Sequence, residues 1–130
     1  MKTYRLFVYG TLRHGFHNHP LLHGAKFIGS GTTLNPMVLV VTHGLPFTKN
    51  DPDGQPLAGE LYEVSEEQIV PIHQMEVQAG YSATWHSVLV DGQTYRAIIY
   101  TFPVEKVLGH KIYTGDFKDY SPHLGSYGMP

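Results

Sequence analysis

The chain has no cysteine, few charged residues and no long apolar segment. Without cysteine, disulfides, zinc–thiolate sites and thiol nucleophiles are excluded. Charged residues make up only 15% of the 130 residues, and the formal net charge of −2 supplies no basic surface for nucleic acid. The first apolar run, Leu6–Tyr9, is too short for a signal-peptide core or a membrane span. We therefore expect a soluble cytoplasmic protein that binds neither nucleic acid nor membranes.

Glycine and proline, in contrast, are plentiful: 14 Gly and 9 Pro predict many turns and more strand than helix. A chain of this length suits one domain. We predict an α+β fold, a mixed, mainly antiparallel β-barrel or strongly twisted sheet with one broken helix. The domain is expected over residues 1–108. A tail over residues 109–130 is expected to pack on the surface or to be partly mobile, without regular structure.

Short β-prone runs bounded by turn residues predict most of the strands. Residues 13–24 are expected to form a loop and residues 49–54 a turn. An Asp-Gly pair at residues 91–92 predicts the turn of a hairpin. The predicted strands cover residues 6–9, 25–31, 37–42, 57–64, 85–91 and 95–102.

One helix is predicted to follow the fourth strand. Ser65 and Gln68 match a capping box, in which each residue's side chain bonds the other's backbone N–H. Pro71 lies about two turns later, where an interior proline is costly. We therefore expect a broken helix, with Glu76 at or just past the end of a very short second piece.

Two features point to chemistry on physical grounds. Glu76 lies among Met, Val, Ala and Tyr, where partial desolvation would raise its pKa toward that of a general base. The alternative is a solvent-facing glutamate at a helix end. Gly10 follows the first strand, and the N–H groups after it could form an anion-binding nest. The alternative there is an ordinary strand-to-loop turn.

The segment LFVYGTLR, residues 6–13, resembles the opening of the γ-glutamylcyclotransferase-like (AIG2-like) family. Further matches follow in the order the family has them, and together they cover roughly residues 4–102. They are Leu21-Leu22, AKFIG at residues 25–29, Pro46, GELYEV at residues 59–64, the acidic segment from Glu66 to Glu76, Tyr81 and a closing hairpin.

The resemblance implies a small mixed, mainly antiparallel β-barrel with short flanking helices and a cavity at a strand end, and a reaction that needs no cofactor. In that reaction the α-amine of a small-molecule γ-glutamyl substrate attacks its own γ-carbonyl, which releases 5-oxoproline and a free amine. Glu76 would then be the catalytic general base and acid. The family's substrate-binding positions correspond here to Tyr9, Gly10, Thr11, Leu12 and Tyr81.

The chain departs from the family pattern around the acidic residue. Ile72-His73 replaces the usual Leu-Asp, and Ser82-Ala83-Thr84 stands where an Arg is common. These differences keep two alternatives open. One is a non-catalytic module that binds a small molecule or a protein in the family cavity. The other is a different amide-cleaving or amine-transfer activity on a γ-glutamyl-tagged intermediate, with the same cavity and another leaving group.

Two other groups of residues invite interpretation. His14, His17, His19 and His23 lie within ten residues, but their spacing matches no helical metal motif and no acid lies among them. We expect a surface loop there and no metal site. Arg13 could bind a substrate carboxylate or serve as a structural ion-pair partner.

Overall fold

Strands dominate the computed structural model, which describes residues 2–120. Within these residues, no helix is both long enough and apolar enough to span a membrane. Short 3-10 helices occur at His19–Leu22, Val104–Lys106 and Phe117–Asp119. The main elements are β1 (Thr3–Val8), β2 (Lys26–Thr42), β3 (Leu45–Asn50), β4 (Gln55–Ser65), α1 (Glu66–Gln78), β5 (Ser82–Val90), β6 (Gln93–Thr101) and β7 (His110–Lys111).

Five of these strands close into a barrel in the order β2-β4-β1-β6-β5. The barrel closes where β5 pairs again with β2, with Gly31 opposite Val90. β1 and β6 run parallel, with Leu6 opposite Ile98, and the other pairs are antiparallel. β3 and β7 add to β2 outside the closed ring. The predicted small, mixed, mainly antiparallel barrel is confirmed.

The second half of strand β1 is buried on both of its faces, and successive side chains there point in opposite directions. Phe7 packs inside the barrel with Leu61 and Ile99, in what we call the barrel core. Leu6 packs on the outside in a second cluster, the helix-side core, which α1 covers through Ile72. The residues that follow β1 therefore emerge between two packed layers.

The structure corrects the strand predictions in two places. The strands predicted at residues 25–31 and 37–42 are one strand, β2, whose pairing with β4 shifts register twice. These shifts let the strand pass through Pro36 without ending. Strand β3, Leu45–Asn50, was not predicted. Proline is tolerated in β3 because β3 lies at the edge of the sheet, where its one neighbouring strand among the described residues is β2.

The capping box at the start of α1 is confirmed. The Ser65 hydroxyl accepts from the Gln68 N–H, and the Gln68 side chain accepts from the Ser65 N–H. The predicted break after this point is wrong, because α1 runs through Pro71 as one 13-residue helix. Pro71 is exposed, so water can reach the carbonyl that it leaves without a partner. Glu76 thus lies in the last turn of a single helix.

The hairpin between β5 and β6 is confirmed, with its turn at Asp91 and Gly92. The expectation of a tail without regular structure is wrong for residues 109–120. There β7 pairs with β2, and Phe117 is buried in the barrel core. Residues 121–130 of the predicted tail lie outside the described residues. The division of the chain at residue 108 stays a prediction.

Candidate active site

A pocket opens where the chain leaves β1, between the loop after this strand and the end of α1. All six residues predicted for the site line this pocket. Pro46 and Tyr100 also line it, and neither was predicted to do so. Among the described residues, the lining consists of Leu6, Phe7, Val8, Tyr9, Gly10, Thr11, Leu12, Pro46, Glu76, Tyr81 and Tyr100.

The loop after β1 packs closely against Pro46. A Cβ atom on Gly10 would lie 2.3 Å from the Pro46 Cγ atom, so only glycine fits without displacing the wall of the pocket. The loop is fixed through its carbonyl groups. The Gly10 carbonyl accepts from the Arg13 N–H at 3.0 Å, and the Thr11 carbonyl accepts from the Asn18 N–H at 3.0 Å.

The backbone N–H groups of Thr11 and Leu12 donate to no acceptor within residues 2–120. The Thr11 hydroxyl and the Leu12 carbonyl, in contrast, both have hydrogen-bond partners. Asn18 Nδ2 donates to Thr11 Oγ1 at 2.9 Å, and a ring nitrogen of His19 lies 3.0 Å from the Leu12 carbonyl. Two successive N–H groups beside a cavity form an arrangement that suits an anion.

Arg13 points away from this pocket into a buried ionic cluster. Its guanidinium donates to Asp116 Oδ1 at 2.7 Å and to Glu60 Oε2 at 3.5 Å. Glu60 Oε1 also accepts from the His14 N–H and from the Tyr62 hydroxyl, both at 2.9 Å. Burial acts to raise the pKa of Asp116, but hydrogen bonds from the Lys118 N–H and from Arg13 outweigh burial and lower it. The structure therefore supports the ion-pair alternative for Arg13.

Glu76 has a different environment. Its side chain is partly buried, and within the described residues no hydrogen bond or ion pair engages its carboxylate. Burial raises the pKa of Glu76 from 4.5 to about 7, because removal of water disfavours the charged form. Near neutral pH this carboxyl can therefore either accept or donate a proton.

Three tyrosines line the pocket with Glu76: Tyr9, Tyr81 and Tyr100. Burial raises the pKa of all three hydroxyls, and the charge of Glu76 raises them further. Tyr9 Oη donates to the Tyr100 carbonyl at 2.7 Å, and Tyr81 Oη donates to the Pro46 carbonyl at 2.7 Å. All three side chains are neutral at physiological pH, so among the described lining residues Glu76 is the one that can gain or lose charge near neutral pH.

The end of α1 turns Tyr81 back toward Glu76. Gly80 has a φ of 96°, the left-handed conformation that commonly ends helices, and the Tyr81 N–H donates to the Glu76 carbonyl at 2.9 Å. The Tyr81 ring then stacks on Phe47 at 5.4 Å, while Phe102 packs edge-on against both rings. This aromatic packing holds the tyrosine at the pocket wall.

The histidine-rich loop lies beside a second groove. His14, His19 and His23 line it together with Phe27, and His17 is exposed. Over the described part of the chain, no three His, Cys, Asp or Glu residues are placed so that they could hold a metal ion.

The fold agrees with what comparison with other proteins shows. A model of the family described as gamma-glutamyl cyclotransferase, AIG2-like, matches residues 6–119. The chain belongs to this family. The match extends beyond the predicted residue 102 and includes the segment that carries Asp116.

Individual relatives of the chain support the same assignment. A Methanocaldococcus jannaschii protein, provisionally named gamma-glutamylcyclotransferase, is 35% identical over 118 residues, covering 88% of this chain and 96% of that protein. The gamma-glutamylaminecyclotransferase of Bos taurus is 34% identical over 132 residues, covering 91% of this chain and 77% of that protein. A crystal structure of a mouse AIG2-like protein superposes with a TM-score of 0.81 at 27% identity, covering 95% of this chain and 93% of that one. The family and these names indicate a γ-glutamyl cyclotransferase enzyme.

Proposed function

We propose that Glu76 is the general base and acid of this cyclotransferase, and that the substrate is a small γ-glutamyl amide. The main support is the environment of Glu76, a partly buried carboxyl without a protein partner whose pKa is raised to about 7. A group with this pKa can both take and return a proton near neutral pH. It shares one pocket with the N–H groups of Thr11 and Leu12.

The reaction then requires two proton transfers through Glu76. The carboxylate first takes a proton from the substrate's α-ammonium, and the neutral amine attacks the γ-carbonyl carbon. Glu76 returns this proton to the leaving nitrogen as the γ carbon–nitrogen bond breaks. It next removes the extra proton from the new ring nitrogen and gives it to the released amine. The products are 5-oxoproline and an ammonium ion, so atoms and charge balance.

The loop after β1 would bind the glutamyl part of the substrate. The N–H groups of Thr11 and Leu12 would serve as donors for its oxygen atoms, including the oxyanion that develops at the γ-carbonyl. Gly10 lets this backbone lie against the pocket wall, and Tyr9 and Tyr81 shape the space around the reacting atoms. Fixing the folded-back substrate in this way favours ring closure over attack by water.

The pocket lining favours γ-glutamyl amines over γ-glutamyl amino acids. Over residues 2–120, no Lys, Arg or His lines the pocket, and the nearby Arg13 is held by Glu60 and Asp116. A leaving group with its own carboxylate would therefore meet Glu76 without a compensating cation. The name of the bovine relative, gamma-glutamylaminecyclotransferase, agrees with this preference.

The other predictions on partners and location belong to the same proposal. The enzyme would act on a free small molecule in the cytoplasm and bind neither nucleic acid nor membranes. Fractionation of cells that express the tagged chain checks the location, because activity and protein should appear together in the cytosolic fraction.

The decisive experiment measures 5-oxoproline released from γ-glutamyl-pentylamine and γ-glutamyl-norleucine, which differ only by one carboxylate. We expect faster turnover of the amine. Glu76→Gln should lower kcat by about 100-fold or more, because the amide cannot accept the proton. Glu67→Gln, an exposed position on the same helix, is the matched control.

Each other outcome has a defined meaning. If Glu76→Gln retains turnover, Glu76 is not the proton-transferring residue. If the wild type binds both compounds but releases no 5-oxoproline from either, the chain is the non-catalytic binding module.

A further inference from the structure

The three tyrosine hydroxyls in the pocket are not held in the same way. Tyr9 and Tyr81 donate their protons to backbone carbonyls, which can only accept. Their oxygen lone pairs therefore remain as acceptors. The hydroxyl of Tyr100 instead bonds a side chain, with its Oη atom 3.0 Å from His73 Nδ1. An imidazole nitrogen can accept or donate, so His73 determines which way the Tyr100 proton points.

His73 does not line the pocket itself. It is exposed on α1, one turn before Glu76, and its ring lies 5.8 Å from the ring of Tyr100. Tyr100 is only 4% exposed and lines the cavity, and it also lines a neighbouring groove together with His73. The bond to the Tyr100 hydroxyl therefore connects His73 with a residue of the cavity wall.

We propose that His73 is a positioning residue, which accepts the Tyr100 proton on Nδ1 so that the Tyr100 oxygen faces the pocket as an acceptor for the substrate's α-ammonium. This inference rests on the proposed function, because it assumes a γ-glutamyl substrate with a free α-amino group. In this proposal His73 assists substrate binding without touching the substrate, because it orients the Tyr100 hydroxyl, which does.

The chemistry of the ammonium group explains why this orientation matters. An α-ammonium carries three N–H donors and is best bound by acceptors that surround it. With His73 as acceptor, Tyr9, Tyr81 and Tyr100 all offer lone pairs beside the Glu76 carboxylate. If Nδ1 carried a proton instead, the Tyr100 hydroxyl would point its own proton into the pocket, toward the ammonium.

The test compares variants of His73 in steady-state turnover of γ-glutamyl-pentylamine. His73→Leu removes the acceptor, and we expect KM to rise about tenfold with kcat changed less than about threefold, since a binding contact is lost. His73→Asp places an oxygen where Nδ1 lies and can only accept, so it should recover most of this loss. His17→Leu, at an exposed position with no contact to the pocket, is the matched control.

A double-mutant cycle with Tyr100→Phe separates this role from a structural one. If His73 acts through the hydroxyl, His73→Leu should add almost nothing to the effect of Tyr100→Phe. Additive effects, an unchanged KM in His73→Leu, or a failure of His73→Asp to recover binding would each overturn the proposal. Thermal unfolding of every variant shows whether the fold is kept.

The same assay distinguishes failure of this inference from failure of the proposed function. If the wild type releases 5-oxoproline and the His73 variants match it, only the inference on His73 is wrong. If the wild type releases none, the proposed function is wrong and the positioning role falls with it.

Discussion

Two glutamates flank the loop after β1, and their surroundings differ. Glu60 is 4% exposed, and Arg13, the His14 N–H and the Tyr62 hydroxyl all bond its carboxylate. Glu76 lies across the loop, partly buried, and engages no donor among residues 2–120. Both carboxylates have lost water, but only Glu60 has received donors in exchange.

The comparison shows that burial alone does not identify a reactive carboxyl in this fold. A buried carboxylate whose oxygens are all bonded holds neighbouring segments in place, here the loop, β4 and the segment at Asp116. A desolvated carboxyl without donors keeps a pKa near neutral and can exchange protons with a ligand. A structural carboxylate and a proton-exchanging one thus lie on either side of the same loop. Three predictions test whether Glu60 and Glu76 differ in this way.

The largest expected effect on stability is at Glu60. Glu60→Gln removes the charge that compensates Arg13 in a buried site, which should lower the free energy of unfolding by about 3 kcal/mol. Glu76→Gln should leave it unchanged or raise it at pH 8, because a neutral amide tolerates desolvation better than a carboxylate. Urea unfolding of both variants gives the measurement. Equal losses in both would contradict the division of roles.

A smaller effect is expected in the pH dependence of stability. The pKa of Glu76 is raised from 4.5 to about 7, so the folded state binds this proton more tightly than the unfolded state does. The resulting stability is complete below about pH 4.5 and is lost as the pH rises through 7. Because the side chain is partly solvated, we expect a loss of about 1–2 kcal/mol.

Subtracting the unfolding curves of Glu76→Gln from those of the wild type between pH 5 and 8 isolates this contribution. A difference that stays constant over this range would show that Glu76 has an ordinary pKa.

The smallest effect is expected at Asp116, the second partner of Arg13. Its side chain is 32% exposed, so water partly replaces the lost contact. Asp116→Asn should cost about 1 kcal/mol in urea unfolding, because Arg13 keeps its bond to Glu60. A loss as large as that of Glu60→Gln would mean that Arg13 depends equally on both carboxylates.

Features set by neighbouring residues were predictable from the sequence. The capping box at Ser65 and Gln68 and the hairpin turn at Asp91-Gly92 depend on side chains and backbone within a few residues. The barrel and the grouping of Glu76 with the loop followed from resemblance to a family. Local reasoning alone left a solvent-facing Glu76 as an alternative, since desolvation depends on residues distant in the chain.

Features that depend on tertiary contacts were missed. The helix continues through Pro71 because Ile72 is buried and Pro71 faces solvent. The low helix propensity of proline describes only a local cost and takes no account of the burial of Ile72. Tyr100 follows the ordinary alternation of a strand, and nothing in its neighbours marks it as part of a pocket. His73 lies close to Glu76 in sequence, but its partner is 27 residues away.

The hydrogen bond from the Tyr9 hydroxyl to the Tyr100 carbonyl joins residues 91 positions apart. Parallel pairing of β1 with β6 brings together the same two parts of the chain. During synthesis, the loop after β1 leaves the ribosome before β6 does, so the pocket wall at Tyr100 is the last to be made. Contacts of such long sequence range are slow to form. A nascent or truncated chain that ends before β6 therefore has the loop after β1 and Glu76 but lacks Tyr100, and its pocket stays open until β6 is in place.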